Sequence, residues 1–110
     1  MDAGVLTSLR AAAAVSRTMR IAAANGAVDE LAADMARQDG LLRQASDGLS
    51  AMEEAGGALS ADDREVLGGM LAEFAAENGL LIQTLREQQQ HIVRCIAEAE
   101  GYRRLSAYAR

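Results

Sequence analysis

Two glycine-centred breaks, Asn25-Gly26 and Gly56-Gly57, divide a chain without proline into three helical stretches of unequal length. Asn and Gly are the residues that most readily take the left-handed conformation that ends a helix. Asp29 and Glu30 follow the first break and suit the positive end of a new helix dipole. After the second break, Ser60-Ala61-Asp62-Asp63 resembles a capping box, with Asp63 in place of the usual Glu or Gln. The breaks set helices over about 5–24, 27–54 and 61–100. Gly101 offers a further stop, and residues 102–110 form a short fourth helical piece through Leu105 and Tyr108. The composition agrees. Half of the residues are apolar but only 3% are aromatic, and much of the apolar share is alanine, the best helix former. A chain of 110 residues is one domain with a modest core. The expected fold is all-α, a single domain over 1–110: an antiparallel three-helix bundle with a long third helix and a short C-terminal fourth segment.

Apolar residues recur at helical spacing in each stretch. The first carries a narrow stripe of Val5, Leu9, Ala12, Val15, Met19 and Ala22. In the second, Val28, Leu31, Met35, Leu42, Ala45, Leu49 and Met52 keep a seven-residue rhythm broken by Gln38, the pattern of a bundle seam. The third carries Leu67, Met70, Leu71, Phe74, Leu81, Leu85, Ile92 and Ile96, interrupted by Asn78 and Gln88. Glycines 40, 48, 68, 69 and 79 fall inside these patterns, each costing about 1 kcal/mol relative to alanine. Close helix–helix approach is the expected reason for them; a bundle loose enough to deform around a partner is the alternative.

Helix lengths sharpen the picture. At ~1.5 Å per residue the third helix is about 60 Å long, against roughly 30 and 40 Å for the first two. Antiparallel packing brings the region of Gln88 to the Asn25-Gly26 corner, and everything after Gln90 overhangs. The overhang carries Ile92, Val93 and Ile96, each worth about 1.5–3 kcal/mol when buried. These residues need a cover: the tail folded back, a second copy of the chain, or a client protein.

Several kinds of chemistry find no support. The net charge of −5, with arginine as the sole basic residue type, lacks the basic stripe of a nucleic-acid binder. The arginines at 103, 104 and 110 read as a solvated helix end. Glu87, His91 and Cys95 share one helical face at metal-ligand spacing. No second cluster completes a site, and the Glu-x-x-His pairs of a di-metal bundle are missing. Serines lack a paired histidine motif, and Gly56-Gly57 and Gly68-Gly69 lack the Lys-Ser/Thr of a phosphate loop. The expectation is a protein that is not an enzyme and uses no cofactor or metal. The single cysteine fits a reducing compartment. No apolar run approaches the ~20 residues that cross a bilayer, and the N-terminus lacks the order of a secretory signal. The expected location is the cytoplasm.

The order of features resembles a known family. Met19, Ala22, Ala23, Gly26, Val28, Asp29 and Leu31, then Leu41-Leu42, a mid-chain loop, and a long helix with Leu71, Asn78, Leu80-Leu81 and a glutamine run are similar to FliT-type flagellar export chaperones. The tail ending near Ala107-Tyr108 fits as well. FlgN-type flagellar chaperones share the leucine-spaced long helix and are a close second. The resemblance implies a cytosolic helical chaperone for bacterial flagellum biogenesis. It would bind the filament-cap protein, or a hook-associated or other export substrate, and deliver it to the type III secretion apparatus. It also implies a C-terminal segment that covers the client site until displaced. On this reading Leu85, Ile92, Val93 and Ile96 face the client, and Tyr102, Leu105 and Tyr108 form a removable cover. A structural homodimer without an export role, in which two overhangs bury each other, is the alternative.

Overall fold

The computed structural model describes residues 3–109, which form three helices: α1 (Ala3–Ala24), α2 (Val28–Glu54) and α3 (Ala61–Tyr108). No strand occurs among the described residues. Both corners are Schellman caps, in which a left-handed residue lets the chain's next amides reach back to the last free carbonyls. At the first, Gly26 has φ 68°, Ala27 N donates to Ala22 O at 2.9 Å, and Gly26 N donates to Ala23 O at 3.2 Å. At the second, Gly56 has φ 75°, Gly57 N donates to Met52 O at 3.1 Å, and Gly56 N donates to Glu53 O at 3.0 Å. Helix α3 starts as the sequence predicts, with the Ser60 hydroxyl accepting from Asp63 N at 3.1 Å.

Helix α1 is the centre of the molecule. Among the described residues, eight of the ten buried apolar ones belong to it, with Ala45 on α2 and Leu81 on α3. Its buried face is wider than the expected stripe, because Ala13, Ser16 and Ala23 are buried too. With alanine over so much of that face, two neighbours can lie against α1 at once. Helix α2 runs antiparallel to it and α3 parallel. Val5, Leu9 and Ala45 form one cluster with Leu42, Leu49, Leu67 and Met70 around them. Val15, Met19, Ala23 and Leu81 form the other, flanked by Leu31 and Leu41.

Polar residues fix the register. Gln38 Nε2 donates to Ser16 Oγ at 2.6 Å and to Ala12 O at 3.1 Å, so the residue that breaks the α2 rhythm satisfies the buried Ser16 hydroxyl. On the other flank Arg17 bonds Glu77 at 2.9 Å and Glu73 at 2.8 Å, while Arg20 stands 3.8 Å from Glu77 Oε2. Hydrogen bonding and charge from Glu77 raise the Arg17 pKa above its already high ordinary value. Gln88 Nε2 donates to Ala24 O at 2.8 Å, tying α3 to the end of α1.

Three expectations are corrected. The tail is not a separate fourth segment: α3 runs through Gly101 to Tyr108. One internal glycine costs only about 1 kcal/mol, and good helix formers surround it. The glycines do not generally mark close approach. A Cβ on Gly48 would stand 2.7 Å from Val5 Cγ2, but at glycines 40, 68, 69 and 79 it would meet nothing within 4 Å. The apolar seams of α2 and α3 are also largely open, with Val28 71% and Met35 59% exposed.

Candidate functional site

The open seams have a geometric cause. Helices α2 and α3 both pack on α1, and among the described residues no Cα of α2 lies within 8 Å of a Cα of α3. In a four-helix bundle the two neighbours of one helix sit diagonally, and a fourth helix fills the corner between them. Here that corner is open. Its floor is Met19 of α1; its walls are Leu31, Met35 and Leu42 on one side and Leu81, Ile82 and Leu85 on the other, around a space of about 360 Å³. Polar groups at the rim are Gln38, Asp39 and Asn78.

The groove continues past the Asn25-Gly26 corner. A second, nearly all-apolar cleft of about 310 Å³ shares Leu31 and Leu85 with the first and adds Ala22, Ala23, Val28, Ile92 and Val93. Beyond it only α3 remains. All residues from Gln89 to Glu100 are exposed, and residues 89–108 project about 30 Å at ~1.5 Å per residue, giving a molecule 77 Å long. The overhang expected after Gln90 thus lies close to where the helix lengths place it.

Of the sequence-predicted contact residues, Leu85, Ile92, Val93 and Ile96 share one face of α3, each 40–59% exposed. The predicted cover does not lie over them. At about 100° per residue, Tyr102, Leu105 and Tyr108 centre roughly 180° around the helix from that stripe. They are 74%, 72% and 90% exposed. A straight helix cannot fold its last turns back on itself, so the cover reading required the break at Gly101 that the chain does not make.

Sequence reasoning placed Val28, Leu31, Met35 and Leu42 on the inner face of α2 but assumed a helix opposite them. The missing signal was in α1, whose alanines admit neighbours on two sides.

Charge divides at the same point as the fold. Residues 1–88 carry fourteen acids and seven arginines, net −7, whereas 89–110 carry four arginines and two glutamates, net +2. Of the acids on α2, Asp39 borders the groove.

Cys95 Sγ lies 3.7 Å from His91 Nε2, one turn along the exposed face. Among the described residues no three His, Cys, Asp or Glu side chains converge as metal ligands. Nor is any described helix long and apolar enough to cross a membrane. The chain matches no protein-family model, no curated protein and no solved structure.

Proposed function

We propose that this protein is a helix-holding module of the chaperone kind, which seats an amphipathic helix of a client protein in the open corner between α2 and α3. The observation that carries the reading is the vacancy itself: two helices packed on a third, with apolar walls and floor where a fourth helix would lie. A ligand with helical geometry fits because the corner is long, straight and lined at helical spacing. The net charge of −7 over residues 1–88, with Asp39 at the groove, favours a client helix with leucine and isoleucine on one face and arginine or lysine on the other. Within this class, the resemblance to FliT-type chaperones nominates a flagellar filament-cap or hook-associated subunit, held in the cytoplasm before type III export. Leu85, Ile92, Val93 and Ile96 extend the client surface beyond the bundle.

The test is fluorescence anisotropy with a labelled amphipathic peptide of that composition, a scrambled control, and purified filament-cap protein as competitor. The peptide should bind and the scrambled form should not. Met35→Glu and Ile82→Glu should each weaken binding about tenfold, the effect of burying one charge in an apolar groove. Ile21→Glu, on an exposed apolar residue outside the groove, should leave it unchanged. Equal binding of the scrambled peptide would remove the groove as a helix site. Failure of the filament-cap protein to compete would remove the flagellar client and leave the groove.

A further inference from the structure

We infer that two copies of this chain pair antiparallel through their α3 overhangs, in one definite register, with the end of each α3 reaching the corner of the other's bundle. The inference rests on the α3 pattern and not on the proposed client, with which the second copy would compete for the face of Ile82, Leu85, Ile92, Val93 and Ile96.

The exposed stripe of α3 follows a strict heptad. Leu85, Ile92 and Ala99 occupy one seam position, and Ile82, Gln89, Ile96 and Arg103 the other. In an antiparallel pair each residue of one set packs opposite a residue of the other. The register that pairs the two isoleucines of the overhang places Ile92 against Ile96 of the second copy, and by symmetry Ile96 against Ile92. The two-fold axis then passes beside Arg94, whose own position is the outermost of its turn. Gln89 falls opposite the small Ala99, which leaves room for its amide to reach solvent.

That register was chosen on apolar residues, yet it also matches the charges. One flanking pair is Arg86 with Glu100 of the second copy, made twice by symmetry. Val93 meets its own counterpart on the same flank. Arg103 comes to the level of the second copy's Leu85, beside the start of α2, where Val28 and Leu31 line the same cleft. The net −7 of the bundle and the net +2 of the overhang attract in this arrangement, whereas parallel pairing sets overhang against overhang and bundle against bundle. On the opposite flank Cys95, free and exposed, faces its own counterpart. Leu105 and Tyr108 point outward and take no part.

Sedimentation velocity over a range of concentrations, on the full chain without any client, tests this. A monomer–dimer equilibrium is expected, and Ile92→Glu with Ile96→Glu should abolish it. Circular dichroism at 222 nm checks that this variant still folds. Arg86→Glu alone, or Glu100→Arg alone, should weaken the dimer about tenfold, because each replaces two attractive pairs with two repulsive ones. The double variant Arg86→Glu/Glu100→Arg should restore it. A short bis-maleimide should link the wild-type dimer through Cys95 and fail on Cys95→Ser. A chain that stays monomeric at high concentration overturns the inference, as does a dimer indifferent to Ile92 and Ile96. A dimer that the charge swap does not restore overturns the antiparallel register.

Discussion

Gly48 and the other internal glycines should respond to alanine with opposite signs. At glycines 40, 68, 69 and 79 an added Cβ meets no neighbour within 4 Å. Each replacement then acts through helix propensity and should stabilise the fold by about 0.5–1 kcal/mol. At Gly48 the same propensity gain is set against a Cβ 2.7 Å from Val5 Cγ2. Ordinary carbon contact needs about 3.5–4 Å, so the helices must separate by roughly 1 Å or Val5 must leave its rotamer. Val5 is only 2% exposed and sits in the cluster with Leu9 and Ala45, so neither adjustment is free. Overpacking of this kind costs about 1–3 kcal/mol, leaving Gly48→Ala destabilised by roughly 0.5–2 kcal/mol after the propensity gain. Urea unfolding followed at 222 nm, at one fixed protein concentration, reads the difference. With a slope of about 1–3 kcal/mol per molar, the midpoint should fall for Gly48→Ala and rise for the other four, at unchanged slope. The cause is separable by a double-mutant cycle. Val5→Ala removes the clashing methyl, so Gly48→Ala should become neutral or stabilising in that background. A wild-type background in which Gly48→Ala stabilises like the rest would refute the close approach of α1 and α2.

Other residues give simpler tests. Gln38→Ala leaves the buried Ser16 hydroxyl with only its 3.4 Å bond to Ala12 O and should cost about 1–3 kcal/mol by urea unfolding; Gln38→Leu with Ser16→Ala should recover most of that. Leu105→Ser and Tyr108→Ser, on the exposed outer face of the overhang, should leave the unfolding midpoint within about 0.5 kcal/mol of wild type. A larger loss would indicate that the tail covers something after all. Arg17→Met removes the pairings with Glu73 and Glu77. Arg17 and Glu73 are half exposed, but Glu77 is only 17% exposed, so the midpoint should fall, and the shift should shrink in high salt.

Local chemistry made much of this protein legible in its sequence. Gly26 and Gly56 end helices because their φ values suit glycine, and Ser60 starts one because its hydroxyl can accept an amide. Both effects act over a few residues and need no tertiary partner. The overhang was legible too, since helix length is residue count times rise. The tail was misread for the same local reason: Gly101 looks like the other stops, but it lacks the left-handed turn and reach-back bonds that make Gly26 and Gly56 caps.

Tertiary structure decided where the seams face. The stripes on α2 and α3 are those of any buried bundle helix, and a sequence pattern records which side of a helix is apolar, not what stands opposite. Only the packing shows that α1 takes both neighbours, because alanine at so many of its positions lets two backbones approach at once. That choice draws Gln38 onto Ser16, buries one valine against Gly48, and leaves Met35 and Ile82 lining an empty corner.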